Sequence, residues 1–177
     1  MTLHPLSALS AIWEWHDGSY DRVQFQPAET GWQISGRHGE TRYVIGLTPD
    51  CTCTALEVSH DTVALTLNRT SGGWYDTGSG RLLDRGGVLD LDLGWSALTN
   101  TFPIRRLMAQ KAETGWFDVL MITLPDLKPR LVRQRYTLTE DGWYYENKDS
   151  GFSALLKVDK YGLVTDYPGL CSRKDIA

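Results

Sequence analysis

The chain has 177 residues, 41% of them hydrophobic and 23% charged, with a formal net charge of −4. That balance describes one folded domain spanning residues 1–177, long enough to bury roughly 70% of its unfolded surface without a covalent staple. It excludes the concentrated basic patch that nucleic acid binding needs, and no apolar run reaches the ~18 residues of a transmembrane segment.

The opening, MTLHPLSALSAIW, has no Lys or Arg ahead of its apolar stretch and a proline inside it. It does not read as a secretory signal, and a cytoplasmic protein is expected. The three cysteines are an odd number, so no disulfide framework is expected. Cys51 and Cys53 would share a strand face, and with no histidine at ligand spacing they read as free thiols rather than a zinc site. His4, His16, His38 and His60 are isolated, so neither a metal nor a cofactor is called for. Seven tryptophans and eight tyrosines favour sheet surfaces and wet-edged pockets.

In chain order, most of the sequence reads as short strands punctuated by glycine and Asp/Asn turns. After the Asp17-Gly18 turn, strands are predicted over 20–26, 32–37 and 41–47, with 54–59 and 62–68 paired about His60-Asp61. Residues 71–87 form a glycine-rich loop. Within it Asp76-Thr-Gly78-Ser looks like an aspartic-protease signature, but that chemistry needs two aspartates sharing a proton, and the single copy reads as a turn.

Residues 86–107, GGVLDLDLGWSALTNTFPIRRL, concentrate the costly residues. Leu89, Leu91 and Leu93 alternate with Val88, Asp90 and Asp92, the pattern of a half-buried strand. Ser96 can cap a short helical turn through Asn100, while Pro103 should end it and push Phe102 toward an extended conformation. Arg105 and Arg106 follow inside an apolar frame. In a strand they point to opposite faces and in a helix they sit about 100° apart, so both cannot stay fully in water. An arginine drawn inside without a partner costs several kcal/mol, and Asp90 and Asp92 are the nearest candidates.

Beyond this, 116–124 is nearly continuous apolar sequence and is predicted to be a strand covered on both faces. Val132, Gln134, Tyr136 and Leu138 share a face, which leaves Gln134 as a polar group in need of a partner or ligand. Strands are also predicted over 143–147, 152–158 and 163–167, with residues 1–12 and 170–177 frayed. Gly-Trp recurs, but the residues that follow it do not match, so there is no internal repeat. Roughly a dozen strands with one helical candidate give a mainly β fold, a barrel, half-barrel or sandwich.

The run Asp90-Leu-Asp-Leu, then Thr99-Asn-Thr-Phe-Pro-Ile-Arg-Arg-Leu107, and the later Val158-Asp-Lys-Tyr-Gly-Leu-Val-Thr-Asp-Tyr-Pro-Gly169 resemble a bacterial glycolipid-binding domain family. Gly-Gly-Trp74 and Gln134-Arg-Tyr136 extend the likeness over nearly the whole chain. The resemblance implies a shape similar to lipoprotein carriers: one long antiparallel sheet curled into a half-barrel or β-roll around one short helix. A closed, lipocalin-like barrel is the alternative. It further implies binding of an amphipathic small molecule, a glycolipid by the family's label, in an apolar cavity.

The expected mouth of that cavity is a polar cluster of Asp90, Asp92, Thr99, Asn100, Arg105, Arg106, Gln134 and Tyr136, with Asp166 and Tyr167 at its rim. Two other readings stay open. The cluster forms a structural network inside a filled core, or Asp90 and Asp92 serve as a hydrolase pair, since positions two apart on a strand lie about 6.5–7 Å from each other. Adjacent arginines would then keep both carboxyls ionised, leaving no general acid. Nothing in the sequence bears on oligomeric state.

Overall fold

The computed structural model describes residues 3–174. The chain lays down two wings that share one sheet. The first wing is β1 (Leu9–Trp15), β2 (Tyr20–Ala28), β3 (Gly31–His38), β4 (Thr41–Leu47), β5 (Cys53–His60), β6 (Val63–Thr70), β7 (Gly73–Asp76) and β8 (Arg81–Leu82). Then come β9 (Asp90–Leu93), a 3-10 turn (Ala97–Asn100) and helix α1 (Thr101–Gln110). The second wing is β10 (Thr114–Ile122), β11 (Arg130–Leu138), β12 (Trp143–Asn147), β13 (Ser153–Val158), β14 (Val164–Tyr167) and β15 (Cys171–Lys174).

Each wing is a meander, and β1 pairs with β15 to join them into one sheet of fifteen strands. The predicted curled sheet around one short helix is what forms, and its outer strands β8 and β9 do not pair, so no barrel closes. One pair departs from the antiparallel expectation: β9 runs parallel to β10, with Asp90 opposite Val119 and Leu93 opposite Ile122. A parallel pair requires a long crossover, and the helical segment supplies it. The same crossover threads α1 through the hollow of the sheet.

The ends are more ordered than expected, because Leu9–Trp15 and Cys171–Lys174 are the two strands that join the wings. Residues 1–2 and 175–177 of the predicted frayed ends lie outside the described residues. Pro103 does not stop the helix, and Phe102 is helical. Pro103 is the third residue of α1, within the first turn, where a backbone N–H has no partner inside that helix. Ser96 does cap the turn, accepting from the Leu98 N–H at 3.3 Å. In β10 only Val119, Leu120 and Ile122 are covered on both faces, whereas Trp116 is 45% exposed.

The core is continuous from wing to wing. Trp13, Phe25, Ile34, Ile45, Leu56 and Leu67 face it from the first wing and Tyr136, Trp143, Leu156 and Val164 from the second, with Leu91, Leu93, Leu98, Phe102 and Ile104 between them. Two glycines permit close approaches around the helical segment. Tyr43 lies across Gly36 on the neighbouring strand, and a Cβ there would stand 2.0 Å from its ring. At Gly162, with φ +76°, a Cβ would meet the stem of Arg105 at 2.9 Å.

Candidate functional site

Around the helical segment the interior polar groups fall into three groups. In the first, Arg106 on α1 reaches Asp90 on β9 with both carboxylate oxygens 2.6 Å from Nη2. Its Nη1 donates to the Thr52 hydroxyl at 3.4 Å, and its guanidinium lies 5.7 Å from the Phe117 ring. Asp90 is 1% exposed. Burial pushes its pKa up, and Arg106 works against that push. Arg105 does not share this partner. It donates to the backbone carbonyls of Tyr161 at 2.6 Å and His4 at 3.2 Å, so only one of the two arginines is paired with an aspartate from β9.

In the second group Asp92 accepts from Gln134 Nε2 at 2.7 Å and from the Thr99 hydroxyl at 3.1 Å. The Tyr136 hydroxyl stands 2.9 Å from Asn100 Oδ1 and 3.3 Å from Gln134 Oε1. Asn100 in turn donates to the Ala97 carbonyl at 3.4 Å. Asp92 meets neither arginine. Burial raises its pKa, opposed only by the neutral donors Gln134 and Thr99. The expectation that arginines face both carboxyls is met at Asp90 alone and fails at Asp92, which has no cation beside it.

The third group was not anticipated. Asp21 on β2, fully buried, accepts from the Tyr43 hydroxyl at 2.9 and 3.0 Å and from the Ser96 hydroxyl at 2.5 Å. With no positive charge beside it, burial pushes its pKa up to about 7. Asp21 lies in strand β2 and looks in sequence like any turn-proximal aspartate; only its alternation with Val23 and Phe25 on the inner face could have marked it.

The structure thus brings eight of the expected residues, Asp90, Asp92, Thr99, Asn100, Arg105, Arg106, Gln134 and Tyr136, around the helical segment, each hydrogen-bonded from within the chain, although the buried Nε of Arg105 and of Arg106 finds no partner. Asp166 is half-buried on β14. Tyr167 is 7% exposed and packs its ring 6.3 Å from those of Tyr145 and Phe152. All three cysteines are free and buried, as expected, with burial raising each thiol's pKa. Asp76 is the last residue of β7, and its carboxylate caps the turn that follows, accepting from the Gly78 N–H at 3.0 Å and from the Ser79 hydroxyl at 2.6 Å. Among the described residues no three His, Cys, Asp or Glu side chains gather as metal ligands.

Open space lies elsewhere. A cleft of about 640 Å³ sits where α1 ends and the second wing opens. Met108, Ala112, Leu138, Trp143 and Val158 give it an apolar floor, and Lys111, Glu113, Glu140, Asp141 and Lys157 a charged rim. Leu138 is 45% exposed there while Trp143 is nearly buried. These residues come from α1, β11, β12, β13 and the turns between them, a convergence that no local pattern reveals.

The family model described as "Putative glycolipid-binding" matches residues 10–173. The chain belongs to that family. It is also similar to a DUF1089 family protein from Pseudomonas aeruginosa known from a crystal structure, with 33% identity over 96% of this chain and 94% of that one and a TM-score of 0.65. Among curated proteins none matches. Family membership covers both wings and the crossover between them, so the cleft and the three polar groups all lie inside the matched region.

Proposed function

We propose that this protein binds an amphipathic small molecule without transforming it, a glycolipid being the class that the family's description names. The observation that carries this reading is the cleft at the end of α1, with its apolar floor and a rim that alternates cationic and anionic groups. Its volume falls in the range of about 300–1,000 Å³ typical of small-molecule sites. An alkyl segment of about six methylenes laid on Leu138, Met108 and Val158 would contribute on the order of 5 kcal/mol before the costs of ordering. Lys111, Lys157, Glu113, Glu140 and Asp141 offer donors and acceptors to sugar hydroxyls, which carry both functions.

In this reading the interior polar residues hold the walls rather than the ligand. Tyr136 and Gln134 follow Leu138 inward on the same face of β11, about 7 and 13 Å along the strand, and their bonds to Asn100 and Asp92 fix β11 against the helical segment and β9. A hydrolytic reading through Asp90 and Asp92 has no observation in its favour: Asp90 is clamped by Arg106, and Asp92 is occupied by Gln134 and Thr99.

The test is titration with a short-chain alkyl glycoside below its micellar concentration, followed by calorimetry and by tryptophan emission, since Trp143 lines the cleft. Saturable binding that Leu138→Lys weakens at least tenfold, with an unchanged melting temperature, is the expected outcome. No binding by the wild type, or binding indifferent to Leu138→Lys, overturns it.

A further inference from the structure

On the outward face of the first wing three arginines stand in a row. Arg22 is directly opposite Arg37 across β2 and β3, and Arg37 is directly opposite Arg42 across β3 and β4. All three are exposed. Like charges placed opposite one another on adjacent strands repel. Yet among the described residues no ion pair relieves any of the three. Arg22 lies 5.1 Å from the Tyr20 ring and Arg37 Nε donates to the Gly39 carbonyl at 3.1 Å, contacts that leave the charge in place.

The row borders a groove of about 800 Å³ on the solvent side of β1 to β6. Ser35, Ser59 and Ala64 form a low floor between the longer side chains, and Val44 and Ile12 give it apolar ground. Glu57 is the acidic residue of the lining. Three guanidiniums against one carboxylate give this groove a local positive excess in a chain whose net charge is −4.

We propose that this groove is a second binding site, separate from the cleft at the end of α1, and that it takes the diphosphate group of a small soluble ester. Neighbouring strands lie about 4.8 Å apart, so the three arginines span about 10 Å at the backbone. Single phosphate-sized anions reach two of them, whereas two linked phosphates reach all three. The two or so surplus positive charges are matched by a diphosphate, which carries about two to three negative ones. The guanidinium fork is suited to bidentate phosphate contacts. The apolar ground beside the row, Val44 and Ile12, suits the organic part of the ester.

Calorimetry and amide chemical-shift mapping of the full chain at low salt, with inorganic pyrophosphate as probe, test this. Orthophosphate, sulfate and vesicles containing an anionic phospholipid serve as the comparison arms. Pyrophosphate is expected to bind at least tenfold more tightly than orthophosphate or sulfate, to shift signals on β2, β3 and β4, and to weaken as salt screens the row. Arg37→Ala should lower that affinity at least tenfold while leaving the melting temperature equal or higher, because it removes two opposed pairs. Arg42→Gln gives the same readout should the first variant fail to fold. The proposal is overturned by no pyrophosphate binding, by an equal response to all three anions, by binding that both variants retain, or by capture on vesicles without binding of soluble pyrophosphate.

Discussion

The two sides of the helical segment solve the same problem differently. Toward β2 and β4, one buried carboxyl, Asp21, is met by two hydroxyls and no cation. Toward β9 and β11, two carboxyls sit two residues apart, and one of them, Asp90, carries the charge of Arg106 while the other, Asp92, again has neutral partners. A buried carboxyl with an arginine is held as an ion pair and is costly to break. A buried carboxyl among hydroxyls and amides is held best when it carries its own proton. The first arrangement resists pH and fails by mutation, and the second does the reverse.

Arg106→Met is the sharpest way to break this contrast. It keeps the apolar stem but leaves Asp90, 1% exposed, without its cation. Removing one partner of a buried pair typically costs about 3–5 kcal/mol, and chemical denaturation should show a loss of that size. Asp90→Asn in the same background should recover part of it, since the stranded charge is then gone. A loss under 1 kcal/mol for Arg106→Met means that water reaches Asp90.

On the other side, pH replaces mutation. Asp21 titrates near 7 in the folded chain against an ordinary carboxyl value of 3.8. Between those values the unfolded chain has released a proton that the folded chain still holds. Stability from this group is therefore highest at acid pH, falls as pH rises from about 4 to about 7, and is flat above. The linkage amounts to about 4 kcal/mol. Asp92 adds a loss of the same sign, because its pKa is also raised by burial. Asp21→Asn, which keeps a neutral group of the same size, should flatten the curve of melting temperature against pH and overtake the wild type above pH 7. An unchanged slope would mean that Asp21 is ionised throughout.

How far these partners were legible in the sequence follows from their range. The strand pattern was readable because it is local: the predicted strand over 41–47 is β4 and that over 143–147 is β12. The pairing of Asp90 with an arginine from the 105–106 doublet was readable because an apolar frame forces a buried charge to find its neighbour. Which arginine would take it was not, since that depends on the phase of α1, and Pro103 pointed to a break where the helix in fact continues. Asp21 and Ser96, 75 residues apart, and the cleft residues on four elements become neighbours only through the curl of the sheet. The parallel placement of β9 was hidden for the same reason: nothing in a four-residue strand reports the direction of its partner.

A smaller effect tests whether Asp92 belongs with Asp21. Gln134→Ala removes the closer of its two donors and leaves a buried carboxyl less satisfied, for an expected loss of about 1–3 kcal/mol. If Asp92 is held by neutral donors, the loss should grow as pH rises, because only the ionised form misses the amide strongly. A loss that does not change with pH would place Asp92 with Asp90, as a carboxylate whose charge is compensated by groups other than Gln134.

The smallest stability effect belongs to the open end of the second wing. Leu138 is 45% exposed, and a surface substitution such as Leu138→Lys should change stability by no more than about 0.5 kcal/mol. Its neighbours inward on the same face, Tyr136 at 1% and Gln134 at 1% exposure, belong to the rigid network. Position 138 therefore marks the step at which β11 passes from holding the fold to facing solvent. If the cleft is where an apolar chain settles, Leu138→Lys loses at least tenfold in alkyl glycoside affinity at nearly constant stability, whereas Gln134→Ala loses stability and keeps the affinity of the molecules that remain folded. The opposite split, with affinity following Gln134 and indifferent to Leu138, would move the ligand inward onto Asp92 and make the neutral-donor carboxyl a recognition group.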